Sequence, residues 1–165
     1  MQTLVCRFKD TMNKFNLPNP RRNTLPEPVF LILYDGVCGL CDRTVQFLLA
    51  KDKSAKFKFA PLQGETVTRV YERHFQQKPA DFESIIFVKD YQSSHEIILM
   101  KSDAAIEIMR ILGGFWKFVA MIGKMVPRVI RDRVYDWIAE NRYQWFGKFD
   151  QCRLPAPETK DRFLK

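Results

Sequence analysis

An apolar run, Val29-Phe30-Leu31-Ile32-Leu33-Tyr34, gives way through Asp35-Gly36-Val37 to Cys38-Gly39-Leu40-Cys41 at the head of an amphipathic segment. A continuous apolar run of this length suits a central strand buried on both faces. Gly36 permits the turn, and the periodicity beyond it predicts a helix over 39–51. Such a strand must be covered on both sides and the helix must pack back on it, which leaves few architectures. Within the helix, Cys41, Val45, Leu48 and Leu49 fall at i, i+4, i+7 and i+8, a stripe for burial. Cys41 is therefore expected to face inward and Cys38 outward. One helical turn separates their Cα atoms by roughly 5–6 Å, a span that suits a disulfide.

The thiolate, not the thiol, attacks a disulfide, and a free cysteine is mostly protonated at neutral pH. Unpaired N–H groups and the positive end of the dipole at a helix N-terminus favour the anion, and Cys38 sits where it gains most. Arg43 is expected to lower the Cys38 pKa as well, whereas Asp35 and Asp42 should raise it by like-charge repulsion. Asp35 has three readings at this point: helix cap, organiser of the turn, or acceptor of a proton from Cys41. An exposed attacking thiol beside a shielded resolving thiol is what a dithiol exchange cycle requires.

The length of 165 residues favours one domain with tails. A hydrophobic fraction of 46% is enough to build a core. No apolar run approaches the roughly 20 residues of a membrane span. Phe115–Val126 is shorter, contains Lys117 and Lys124, and reads as a core or interfacial helix. The N-terminus lacks the long apolar centre of a secretory signal. Without one, a reducing, cytoplasmic compartment is the default, with import by the N-terminal extension left open. Cys6, Cys38, Cys41 and Cys152 are too few and too unevenly spaced for a disulfide scaffold, and a CxxC in a reducing compartment is redox-active or metal-binding. The net charge of +8 is spread over the N-terminus, 128–133 and the C-terminus, with no nucleic-acid module signature, so no nucleic-acid partner is expected.

Residues 1–28 read as a flexible basic extension, with Pro18, Pro20, Pro26 and Pro28 discouraging regular structure. Beyond the first helix, Lys56–Ala60 alternates as a strand with one open face and 64–75 fits a helix. Residues 84–88 and 96–101 form an antiparallel hairpin about the turn 90–94. Ser102 or Asp103 caps a helix over 103–112, which Gly113-Gly114 stops. Helices follow over 115–126 and 128–147, the latter with Ile130, Val134, Trp137, Ile138 and Trp145 as its packing stripe. The order β-α-β-α-β-β-α predicts an α/β fold with a thioredoxin-like mixed sheet flanked by helices, plus extra C-terminal helices. The domain is expected over 29–155, with 156–165 as a C-terminal tail.

Three separated blocks carry a resemblance. Tyr34-Asp35-Gly36-Val37-Cys38-Gly39-Leu40-Cys41, Phe59-Ala60-Pro61-Leu62-Gln63, and Tyr135–Tyr143 followed by Phe146-Gly147-Lys148 and Cys152 resemble the DCC family of thiol–disulfide oxidoreductases, named for an Asp and two Cys. The resemblance spans about residues 29–155 and implies a thioredoxin-like fold with a redox CxxC. Thioredoxins proper place a cis-proline just before the strand that faces the CxxC; here Phe82-Glu83-Ser84 precede Ile85 with no proline, a departure from the thioredoxin mode of substrate docking, and Ser84 is the candidate for that position. The resemblance also makes Asn141 and Arg142 candidates for a structural clamp or an acidic-ligand site, although an Arg on a helix is more often a surface ion-pair partner.

The expected function is thiol–disulfide exchange, with Cys38 as attacking thiol, Cys41 as resolving thiol and Asp35 in support. The partners are a protein or small-molecule thiol or disulfide and a separate reductant, and no organic cofactor is needed. Two rivals stand beside it. In a metal site, structural zinc takes four ligands, and Cys6, Cys152, His74 and His95 supply no second CxxC or HxxxH. In a docking module, the basic extension and the amphipathic 115–126 segment lie on a membrane or a partner.

Overall fold

Every residue of the first strand, β1 (Phe30–Tyr34), is buried, because both of its faces are covered. The computed structural model describes residues 29–74, 85–151 and 156–164. The elements run β1, α1 (Gly39–Lys51), β2 (Phe57–Pro61), α2 (Glu65–His74), β3 (Ile86–Lys89), β4 (Ile97–Met100), α3 (Lys101–Leu112), α4 (Gly114–Met125), α5 (Arg128–Phe146) and a short 3-10 helix at Pro157–Arg162. The strands form one sheet in the order β2-β1-β3-β4. β1 pairs parallel with β2 and antiparallel with β3, and β3 pairs antiparallel with β4. This is the α/β mixed sheet with flanking helices, thioredoxin-like in layout, that the order of elements predicts.

Strand alternation divides the core. Phe30, Ile32 and Tyr34 join Phe57, Phe59 and Phe87 under α1 and α3, with Cys41, Val45 and Leu48 from α1 and Ala104 and Ile108 from α3. Leu31 and Leu33 point the other way, onto Val67, Val70 and Tyr71 of α2. α1 thus buries the stripe read from its periodicity, and its N-terminus is fixed at the C-terminal end of β1, the central position of the sheet.

Three expectations change. α3 begins at Lys101, with Met100 at its N-cap and no side-chain cap. Ser102 and Asp103 are not free to cap because they are engaged by α5: the Ser102 hydroxyl bonds Asp132, and Arg131 donates to Asp103 (3.1 Å). The stripe expected to pack α5 is largely on the surface. Ile130, Val134, Trp137 and Trp145 are exposed, while Ala139 and Arg142 are the buried residues of that helix. Apolar periodicity marks a face, not what covers it. Finally, the residues expected as a C-terminal tail pack against β2 as far as they are described. Phe163 bridges Phe59, the Leu164 N–H donates to the Phe59 carbonyl (2.8 Å), and Phe163 stacks on Phe59 with ring centroids 5.4 Å apart. This covers an edge strand that would otherwise offer unpaired backbone groups. The extension over 1–28 lies outside the described residues.

Arg162 locks that closure. It is buried, pairs with the buried Asp52, and donates through Nε and Nη2 to the Phe57 carbonyl (both 3.1 Å). Asp52 also accepts the Phe57 N–H (2.9 Å). Removing one partner of a buried pair leaves a charge with no counterion in a low-dielectric site. Arg162→Ala is expected to cost about 3 kcal/mol or more of stability, measured by urea unfolding; a loss near that of a surface pair would show that the C-terminal closure contributes little.

Candidate functional site

The site is assembled where β1 ends. Cys38 is the N-cap of α1, in extended conformation, and its carbonyl accepts the Asp42 N–H (3.0 Å). The Asp35-Gly36-Val37 turn delivers it there, closed by the Cys38 N–H donating to the Asp35 carbonyl (3.2 Å). Asp35 is buried, and its carboxylate organises the turn: Oδ1 accepts the Val37 N–H (3.1 Å). The N-cap residue Cys38 makes no side-chain capping bond of its own.

Two long-range partners complete Asp35. Gln63, just beyond β2, donates through Nε2 to Oδ1 (3.0 Å) and accepts the Gly36 N–H on Oε1 (3.3 Å). The Tyr143 hydroxyl of α5 donates to Oδ2 (2.5 Å). Burial and this hydrogen bond both push the Tyr143 hydroxyl above its usual range. Arg142 is buried rather than a surface ion-pair partner. It donates to the Ala139 carbonyl (2.9 Å) and to the Tyr143 hydroxyl (3.2 Å), and its guanidinium lies 4.4 Å from the Tyr143 ring centroid. Burial works against its charge; Tyr143, Cys38 and Asp35 work for it. Asn141 instead bonds the Trp137 carbonyl at the exposed side of the helix.

The two thiols are free and share one proton system. The Cys41 S–H donates to Cys38, and this is the largest influence on the pair. Burial opposes the Cys38 thiolate, the N–H groups of Cys41 and Leu40 support it, and Asp35 opposes it; the net effect lowers Cys38 from 9.0 to about 6. Cys41 moves the other way. Holding Cys38 with its proton, its own burial and the Cys38 charge all push it up, with the Asp35 N–H working against them. Helix-terminus N–H groups and Asp35 thus act with the expected signs. Arg43 does not serve as the expected cation, because its guanidinium sits over the Phe146 ring, 5.5 Å from the centroid.

Cys38 does not face outward. Its exposure is 0%, against 6% for Cys41. The cover is the segment after α5. The Gly39 N–H donates to the Gly147 carbonyl (3.1 Å), the Phe149 N–H donates to the Val37 carbonyl (2.8 Å), and Lys148 bridges Cys38 in antiparallel fashion. Gly39 makes the approach feasible: a Cβ there would stand 2.1 Å from the Phe146 carbonyl oxygen. Residues 147–149 therefore form a strap across Cys38.

Tyr135 of α5 closes the other side. Its hydroxyl accepts the Ile85 N–H (3.0 Å), and burial pushes it up to about 12, with Cys41 also acting on it. The backbone donor at the head of β3 is thereby occupied. Ser84, proposed for the cis-proline position, lies outside the described residues, as do Cys6 and Cys152. Among the described residues, no three His, Cys, Asp or Glu side chains converge as a metal site. His74 pairs with Glu96 (2.8 Å), and the His95 N–H donates to Ser93 Oγ (3.0 Å), both on the exposed surface. Among the described residues, no helix is long and apolar enough to cross a membrane.

A family described as DCC1-like thiol–disulfide oxidoreductase matches residues 32–148, a span holding Asp35, Cys38, Cys41, Gln63, Tyr143 and Lys148. The chain is 41% identical over 138 residues to the uncharacterized protein YuxK of Bacillus subtilis, which covers 83% of this chain and 95% of that protein. It is 32% identical over 124 residues to a chloroplastic DCC family protein of Arabidopsis thaliana, covering 75% and 69% respectively. No solved structure matches.

Two predictions arise here. Alkylation of Cys38 by a neutral reagent should rise as pH increases through about 6 and then level off, because the thiolate predominates above that value. In Cys41→Ala, which lacks the principal donor, the inflection should move up toward 9.0; an unmoved inflection would mean that the helix terminus alone sets the thiolate. Separately, Gly39→Ala must displace the strap, so Cys38 should alkylate at least severalfold faster at a pH where it is ionised. An unchanged rate would show that the strap does not limit access.

Proposed function

The chain belongs to the DCC1-like thiol–disulfide oxidoreductase family, and we propose that it acts through Cys38 and Cys41 as a dithiol couple. The observation that carries this is two free thiols one turn apart at the N-terminus of α1, with Cys38 at the N-cap and Cys41 donating its proton to it, which lowers the first and raises the second. A stabilised thiolate next to a protonated neighbour is the resting state from which exchange begins.

In the first step the Cys38 thiolate attacks one sulfur of a substrate disulfide. The S–S bond breaks, the distal sulfur leaves as a thiolate, and a mixed disulfide joins Cys38 to the substrate. Cys38 no longer carries charge, so the main electrostatic cause holding the proton on Cys41 is gone. Cys41 then gives its proton to the departed thiolate or to water. Its sulfur attacks Cys38 Sγ and expels the second substrate thiolate. The substrate gains two electrons and the Cys38–Cys41 dithiol becomes a disulfide. A separate thiol couple restores the dithiol, and the reverse sequence oxidises substrate dithiols.

Asp35 serves this cycle by position. Its carboxylate accepts bonds from Val37, Gln63 and Tyr143, which fixes the turn that presents Cys38. The strap has to leave before a substrate sulfur can reach Cys38. Two backbone hydrogen bonds hold it across the turn, and their release bares the Val37 carbonyl and the Gly39 N–H for pairing with a substrate main chain.

With a small aromatic disulfide as substrate, Cys41→Ser should accumulate a mixed disulfide on Cys38, while Cys38→Ser should form none and lose turnover by several orders of magnitude. Intact-mass spectrometry reads both. Turnover retained in Cys38→Ser would remove the attacking role assigned to it.

A further inference from the structure

Eleven of the thirteen exposed large apolar side chains among the described residues lie between Phe115 and Trp145. On α4 they include Phe115, Phe118, Met121, Ile122 and Met125, with Met125 81% exposed and Phe115 70%. Val126 and, on α5, Val129, Ile130, Val134 and Trp137 are exposed as well. Leaving so much apolar area in water is unfavourable and marks an interaction surface. It is not a consequence of weak packing below. α4 is seated on α1 and α3 by Ala120, by the edge-on contact of Trp116 with Phe47 (4.9 Å) and by Gly123 against Ile106.

The charge pattern says what fits. Residues 108–131, which include all of α4, contain no acidic side chain and five basic ones, Arg110, Lys117, Lys124, Arg128 and Arg131, whereas the rest of α5 carries Asp132, Asp136 and Glu140. Arg110 is paired with Glu107, and Arg128 and Arg131 with Asp103. Lys117 and Lys124 have no acidic partner among the described residues and are exposed on α4, amid its apolar side chains. Between α3 and α4 lies a cavity of about 480 Å³ with an apolar wall of Ile106, Phe118, Ala120 and Met121 and a charged rim of the paired Glu107 and Arg110 with Lys117 and Lys124. An apolar surface interleaved with unpaired lysines whose stems can lie along it is what an interfacial helix presents to lipid.

We propose that the exposed face of α4 docks on an anionic lipid bilayer. The apolar side chains enter the headgroup–acyl boundary, Lys117 and Lys124 meet phosphate headgroups, and the cavity takes an acyl segment. Charge argues against the other occupants. A second copy seated face to face would set Lys117 and Lys124 against their own counterparts. The first 28 residues carry five basic and two acidic side chains, a charge that does not complement Lys117 and Lys124. Docking is independent of thiol exchange: Lys117, Phe118, Met121 and Lys124 contact none of Asp35, Cys38 or Cys41 in the hydrogen-bond network above.

The test is flotation of the full chain with vesicles of phosphatidylcholine alone or mixed with phosphatidylglycerol. Binding is expected to the mixed vesicles and not to phosphatidylcholine alone, and to weaken as salt rises. Lys117→Glu with Lys124→Glu, and separately Phe118→Glu with Met121→Glu, should each lower partitioning by roughly tenfold or more. Reduction of a small soluble disulfide by both double variants should be unchanged, which reports an intact fold and separates this proposal from the dithiol reading. Absence of flotation with mixed vesicles, equal flotation with both vesicle types, or a dimer in solution that Phe118→Glu with Met121→Glu dissolves would each overturn the proposal.

Discussion

The Asp35 carboxylate is the junction on which the site depends. It gathers a turn amide from Val37, a side-chain amide from Gln63 beyond β2, and the Tyr143 hydroxyl from α5. A buried carboxylate is costly unless its oxygens are satisfied, so these three groups and Asp35 hold one another in place. Without them the turn loses its shape and α5 loses its bond to the end of β1. The same charge opposes the Cys38 thiolate. The site tolerates this opposition because the Cys41 proton and two helix-terminus N–H groups outweigh it.

From that junction the geometry of α5 follows. With Tyr143 bound to Asp35 and Arg142 buried beside it, the helix ends at Phe146, where Gly147 turns the chain back over Cys38. Gly39 accepts the close approach that any side chain would block. Two features of the Cys38 surroundings are thus linked: the helix that braces the turn also supplies the strap. In the proposed cycle the strap opens by breaking a few backbone bonds, an event far less costly than unfolding.

Local features were legible in the sequence. The bounds of α1, the burial of Cys41, the parallel β1–β2 unit and the β3–β4 hairpin all follow from short-range periodicity. What failed depended on distant chain. Cys38 reads as outward because the periodicity of α1 carries no information about residues 147–149, more than a hundred positions on. Gln63 and Tyr143 lie in blocks that the family resemblance marks, yet nothing local to either names Asp35 as its partner. The apolar stripe of α5 was visible but its surroundings were not, and most of it faces solvent. Residues 156–164 read as a tail because a proline-led 3-10 turn has no periodicity to detect; their anchoring by Arg162 is visible only in three dimensions.

The most direct measurement of the central claim is an equilibrium redox titration of the purified protein against a thiol buffer, quantified by alkylation and intact-mass spectrometry, with Cys38→Ser and Cys41→Ser alongside. The account predicts one reversible two-electron transition in which Cys38 and Cys41 disappear from the alkylated pool together, and its abolition by either substitution. A pair that stays reduced across the titration, or a transition that persists without Cys41, would contradict it.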